Sequence, residues 1–333
     1  MARAGMSLVG DKRLFGTLQI TNGRVSNLLA LLGKPVDTLD GSLSGTVDLG
    51  GTYNNPNINV VGSINNVSID EKVVGDAKVD VALENRKFKI RTLKLPVDDG
   101  LIAAGGTIDL DGDADLQIAV RDVDIKPFLP LIGKDIKATG SVTGVINMTG
   151  ATKNPKVELS ASLANGSYNG IDIDQGFVLA TMQDHVINVQ RIQGAKGDYK
   201  LSVYGRIPLA ALYTTGYLDA NDSKAMDMTV DFNEAGMAVI PLVTDTVQDA
   251  TGALKGVVHI TGTLDQPEAY GTVSVRNGTM KIKSLGNDIK NIDGDLIFSG
   301  QQGDFQSRIS MGKGSAGLAA KINWTGHTMT SYR

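Results

Sequence analysis

Apolar side chains recur at every second position over most of this chain, and that period dictates a sheet. Ile58 and Val60, then Val79, Val81 and Leu83, Phe88 and Ile90, and Leu116, Ile118 and Val120 alternate with mostly polar neighbours. The pattern continues at Val157 and Leu159, Ile187 and Val189, Leu201 and Val203, Met228, Val230 and Phe232, Val273 and Val275, and finally Leu318, Ala320, Ile322 and Trp324. Strands of this kind bury one face and wet the other, the habit of antiparallel sheets. Asn22-Gly23, Asp99-Gly100, Asp111-Gly112, Asn165-Gly166, Asn169-Gly170, Asn277-Gly278 and Asp293-Gly294 are dipeptides that favour hairpin turns. The chain carries 40 glycines in 333 residues, well above the usual share of about 7%. The expectation is an all-β meander of roughly twenty antiparallel strands.

Three short segments keep a helical period instead. Val25, Leu28, Leu29 and Leu32 sit at i, i+3, i+4 and i+7, and Ile125, Phe128, Leu129 and Ile132 repeat that spacing. Val239, Leu242 and Val243 follow it in weaker form, with Pro241 inside. Each predicts a one- to two-turn amphipathic helix that caps an apolar face.

These helices announce a repeat. Gly41-Ser42-Leu43-Ser44-Gly45, Gly140-Ser141-Val142-Thr143-Gly144 and Gly252-Ala253-Leu254-Lys255-Gly256 follow the three in turn. Pro56, Pro155 and Pro267 each lie 11 residues beyond the second glycine, preceded by Asn55, Asn154 and Gln266. The units therefore run over 25–124, 125–236 and 237–333, the second carrying an insertion near 208–225 where alternation lapses. Residues 1–24 read as the tail of an earlier unit, because Leu18-Gln19-Ile20 precedes the first helix as Leu116-Gln117-Ile118 precedes the second. The array is expected to continue beyond both ends.

Several function classes find no support. There is no cysteine, so disulfides, thiolate metal sites and cysteine nucleophiles fall away. A net charge of −4 is not the basic footprint of a nucleic-acid protein. His185, His259 and His327 are far apart in sequence, and no metal, phosphate-loop or nucleophile-elbow motif appears. Asp109, Asp111, Asp113 and Asp115 lack the closing Glu of a calcium loop and read as a hydrated hairpin. Lys87, Lys89, Arg91 and Lys94 read as a solvated face. No cofactor or metal is expected, and no enzymatic activity.

An apolar sheet face must be covered, and three short helices cannot cover this one. Periodicity alone leaves closed barrels, sheet-on-sheet packing and an open trough as alternatives. The recurring elements are a Gly-x-x-x-Gly strand, a glycine-to-proline turn (Gly262-Thr263-Leu264-Asp265-Gln266-Pro267) and a strand running into Asn277-Gly278. With the Gly41–Ile69 and Gly140–Ile173 counterparts, they resemble the repeats of the TamB family, and AsmA-like and bridge-like lipid-transfer proteins at greater distance. The resemblance spans nearly the whole chain, and its motifs are structural rather than catalytic.

The resemblance implies a long antiparallel repeat sheet curled into an open apolar groove. It implies a periplasmic protein anchored in the inner membrane, which carries phospholipid towards the outer membrane and supports assembly of outer-membrane proteins and autotransporters. A TamA/BamA-like outer-membrane barrel would be its partner; neither the anchor nor the docking end is identifiable in these residues. The groove-lining candidates are Ile58, Val60, Val79, Val81, Phe88, Ile90, Leu116, Ile118, Val157, Leu159, Ile187, Val189, Leu201, Val203, Met228, Val230, Val273, Val275, Ile309 and Ile322. For each, packing into a closed core satisfies burial equally well. A chaperone-like scaffold that guides outer-membrane strands, or a structural β-repeat, predicts the same alternation without lipid.

Overall fold

Alternation becomes strand almost throughout, Phe232 lying just beyond the end of its strand. The computed structural model describes residues 2–6, 12–27, 38–132, 137–168, 171–197, 199–212, 223–233, 235–242, 246–285, 288–311, 314–326 and 328–332. Among these are twenty strands: β1 (Ala2–Met6), β2 (Leu14–Arg24), β3 (Leu39–Gly51), β4 (Pro56–Ile69), β5 (Lys72–Glu84), β6 (Lys87–Val97), β7 (Gly100–Asp109), β8 (Asp113–Asp124), β9 (Ala138–Ala151), β10 (Lys156–Tyr168), β11 (Ile171–Gln183), β12 (Val186–Lys196), β13 (Tyr199–Pro208), β14 (Asp227–Asp231), β15 (Val247–Gly262), β16 (Pro267–Ile282), β17 (Ile289–Gly300), β18 (Gln302–Met311), β19 (Gly314–Thr325) and β20 (Thr328–Tyr332). The chain packs as two compact units, 1–163 and 164–333, whose boundary falls inside β10 and inside the second sequence repeat.

In the first unit each strand from β1 to β9 pairs antiparallel with the next along the chain. In the second, β11 to β20 do the same. The fold class is all-β, and the sheet is not closed into a barrel.

Register explains why one face is apolar. Residues directly opposite in antiparallel strands share a face. In the first unit Leu18, Val47, Val60, Val81, Ile90, Gly106, Leu116 and Met148 form one unbroken cross-strand row. In the second, Val178, Ile192, Val203, Val230, Val258, Gly271, Phe298, Gly303 and Ile322 form another. Polar ladders hold the opposite face: Arg91 donates to Asn59 at 2.7 Å and to Asp80 at 2.9 Å, and Lys89 to Glu84 at 2.8 Å.

The repeat has a conformational cause. Gly51, Gly150 and Gly262 lie five residues before the three prolines and take φ of +78°, +83° and +79°. Glycine reaches this region without strain, so it closes one strand, and the next opens at Pro56 and Pro267 and directly after Pro155. The turns between agree: Thr52 and Asn55 exchange backbone hydrogen bonds at 3.0 and 3.2 Å, and Thr263 and Gln266 at 3.3 and 3.2 Å.

Four of the expected hairpin dipeptides are not turns. Asn22-Gly23 lies within β2, Asn165-Gly166 within β10, Asn277-Gly278 within β16 and Asp293-Gly294 within β17. Asn22, Asn165 and Asn277 take φ of +56°, +49° and +53°, and register slips at Ile20/Gly23 and Val275/Gly278 mark bulges there. Asn66 and Asp122 do the same at φ +52° and +50°. At four of these positions the backbone N–H that the bulge orphans donates to a side chain on the next strand. Asn22 N–H donates to Ser44 Oγ at 3.2 Å, Asn66 to Asp76 at 2.7 Å, Asp122 to Thr143 at 3.0 Å and Asn277 to Asp293 at 2.8 Å. Asp99-Gly100 and Asp111-Gly112 do lie at turns, and Asn169-Gly170 falls outside the described residues.

The predicted helices are short. Residues 25–27 are helical, and the rest of the first segment lies outside the described residues. The second forms a 3₁₀ turn at Lys126–Phe128 and a helical turn at Leu129–Ile132. Phe128 packs against Val67, Ile69, Val74 and Ala77. The third is a 3₁₀ segment, Met237–Leu242, with Val243 outside the described residues. A further turn at Leu209–Leu212, absent from the sequence reading, opens the insertion.

Candidate functional site

The apolar face is filled unevenly. In the second unit Val189, Met226 and Met228 close into a packed cluster, with Ile187 and Val203 against it. Further along, the side chains leave a hollow of about 580 Å³. β13 supplies Leu201 and Val203, and Val230 and Phe232 come from β14 and the residue after it. β15 to β18 add Leu254, Val273, Val275, Met280, Ile292, Leu296, Phe298 and Phe305. Met237, Val239 and Ile240 from the 3₁₀ segment complete it, and every lining residue is apolar.

The sheet curls around this hollow. β13 and β18 would stand about 24 Å apart in a flat sheet of ~4.8 Å spacing, yet both line the one hollow. Trp324 on β19 bears on the same point. Its indole N–H donates at 3.1 Å to the carbonyl of Pro267, at the start of β16, and its ring meets Phe298 edge-on with centroids 6.2 Å apart.

A second, smaller hollow of about 170 Å³ lies beside the first. β11 to β13 line it with Ile173, Ile192, Ala195, Leu201 and Val203, and Ala235, Gly236, Ala238 and Val239 supply the facing wall.

Of the residues proposed from sequence, Leu201, Val203, Val230, Val273 and Val275 meet in the larger hollow. Ile309 packs against the core at its rim, and Ile322 lies in the cross-strand row that passes through Phe298. Val189 and Met228 are 6% and 7% exposed; with Ile187 they belong to the packed cluster rather than to the open hollow. In the first unit Ile58, Val60, Val79, Val81, Phe88, Ile90, Leu116 and Ile118 fall in cross-strand rows on one face. Val157 and Leu159 are half-buried between exposed neighbours.

Phe232, Met237, Ile240, Leu254, Met280, Ile292, Leu296, Phe298 and Phe305 also line the hollow without having been proposed as lining. Phe232 continues the alternation of Met228 and Val230, whereas Met280 has the opposite parity to Val273 and Val275, and the bulge between them returns it to the apolar face. Leu296 and Phe298 flank the apolar Ile297, so three apolar residues in a row hide which face each takes. The 3₁₀ residues carry no strand period and gave no signal.

The polar face is ion-paired, and in the second unit it carries a shallow hollow of about 580 Å³ bordered by Arg276, Asp293, Asp295, Gln306 and Arg308. Arg24, hydrogen-bonded to Asp40, holds that carboxyl well below the usual carboxylate range. The Ser274 hydroxyl, then Arg276, lowers Asp295, and Lys89 lowers Glu84. Asp111 pairs with Arg86 and Asp109 with Lys87. His259 lies half-exposed on this face, 3.3 Å from Asp227. Among the described residues no group of His, Asp and Glu has the arrangement of a metal site. No helix among them is long and apolar enough to cross a membrane. The chain matches no family model, no curated protein and no solved structure.

Proposed function

We propose that this chain is a segment of a TamB-like protein that carries phospholipid through an apolar β-groove between the inner and outer membranes. The observation that carries the reading is the 580 Å³ hollow lined by apolar side chains alone. It lies within the range of about 300–1,000 Å³ typical of ligand sites, and each methylene buried there contributes about 0.8 kcal/mol. Acyl chains lie along the curled face, and the headgroup stays in water at the open side. The lining is mostly aliphatic and carries no charge, so it grips a hydrocarbon chain without reading its headgroup.

The wider role is what the resemblance of the sequence repeats to the TamB family implies. It places the protein in the periplasm, held to the inner membrane by parts outside these residues. A TamA/BamA-like barrel is its outer-membrane partner, and outer-membrane proteins and autotransporters are the clients whose assembly it supports. The residues act by binding, not by catalysis.

The test is direct. Residues 1–333, purified without harsh detergent and extracted with organic solvent, should yield bound phospholipid by mass spectrometry, at one or more molecules per chain. Folded protein that yields none would overturn the proposal.

A further inference from the structure

The two hollows share Leu201, Val203 and Val239. Residues 235–240 border both, facing one hollow through Ala238, the other through Met237 and Ile240, and both through Val239. The apolar face is therefore interrupted by a piece of the chain itself.

The attachment of that piece is uneven. At its start it is tied to β15: Leu254 N–H donates to the carbonyl of Ala235 at 2.8 Å, and Gly236 bridges to Ala253. Beyond Gly236 the segment is a six-residue 3₁₀ run with Pro241 inside. Runs of that length are uncommon because 3₁₀ hydrogen bonds have poor geometry. Side-chain anchoring holds it in place. Met237 is 2% exposed and sits in a notch made by two glycines. A Cβ on Gly278 would lie 2.5 Å from its sulfur, and one on Gly252 3.4 Å from it. Gly278 follows Asn277, the bulge residue at φ +53°, so the bulge of β16 shapes the notch.

We propose that the 235–242 segment is a tethered occupant of the groove, anchored by Met237 in its two-glycine notch, and that a hydrocarbon chain enters by displacing it. The two hollows then become one trough only when a chain is bound. Segment and ligand compete for the same apolar face, so any contact that holds the segment down weakens binding. This inference rests on the hydrocarbon-binding reading above.

The absence of cysteine makes the test clean. In a Met237→Cys, Gly278→Cys variant a disulfide staples the segment to β16. Binding of 12-(9-anthroyloxy)stearic acid is followed by fluorescence for the wild type, for the oxidised and reduced variant, and for Met237→Ala, with circular dichroism to verify folding. The oxidised form should bind about tenfold more weakly than the reduced form of the same protein, and Met237→Ala several-fold more tightly than wild type. Equal binding by oxidised and reduced forms, with the disulfide verified by thiol titration, overturns the gate and leaves the hydrocarbon reading intact. If both forms of the double variant fail while wild type binds, Met237→Ala decides: tighter binding supports the gate, and unchanged or weaker binding overturns it. Failure of the wild type to bind overturns the hydrocarbon reading, and the gate with it.

Discussion

Gly271 sits on β16 with φ +135°, where an added Cβ would run into the carbonyl of Val257 on the neighbouring strand. It interrupts the apolar row between Val258 and Phe298, and only a missing side chain allows the two backbones that close an approach. Gly271→Ala should lower stability by about 1–3 kcal/mol, read as a fall in the urea midpoint at unchanged slope. A shift within error would mean that β15 and β16 part at little cost. Residue-scale turn chemistry was only partly legible. The tight hairpins turn at Asp70-Glu71, Asn85-Arg86 and Asp184-His185, with both central residues at positive φ, between +49° and +66°. Glu, Arg and His are poor signals for that conformation, which normally favours glycine. The glycine-bearing dipeptides drew attention instead, and four of them lie inside strands.

Three of those misplaced dipeptides, at Asn22, Asn165 and Asn277, are legible at the scale of the element. An Asn or Asp in the left-handed region followed by a small or apolar residue adds one residue to a strand, strengthens its twist and bends it. A bulge leaves one N–H without a ladder partner, which is why a side-chain acceptor recurs opposite it. Asp293→Ala removes the acceptor for Asn277 N–H. It should cost about 1 kcal/mol and speed hydrogen exchange at the Asn277 amide, with Gly278 loosened beside it. Unchanged exchange there would mean that the cap contributes nothing to the bulge. The helical segments were legible from their spacing, and the second and third are one to two turns long as expected; their 3₁₀ character was not legible. Pro127 and Pro241 each sit within a 3₁₀ turn, and neither segment extends into a long helix.

For the whole molecule, alternation was enough to give an all-β antiparallel fold with one apolar face, because side-chain period and sheet geometry are the same fact. Which stretch of that face stays open was not legible, because burial looks the same in a packed cluster and in a lined hollow. Val189 and Val203 carry the same sequence signal, yet the first is sealed and the second borders a hollow. The sequence repeat did not mark the packing boundary either, since the 1–163 and 164–333 units divide the second repeat. In a meander each strand meets mainly its chain neighbours, so packing divides where contacts thin, not where a motif recurs.

The conduit reading makes a demand on the first unit as well. Val81→Asp combined with Leu159→Asp places two charges on its apolar face, and burying an unpaired carboxylate is strongly unfavourable. Within the full-length protein this pair should abolish phospholipid flux while the protein still reaches the membrane. Undiminished flux from a folded double variant would count decisively against conduction along this face.

The pairing of each strand with its successor also has a mechanical consequence. Tension applied at the two ends of such a sheet falls on the terminal ladders first, and each ladder that yields releases one strand and loads the next. Each unit would peel strand by strand, lengthening gradually under load, so a stretch at the end of the second unit need not destroy the lined hollow further in.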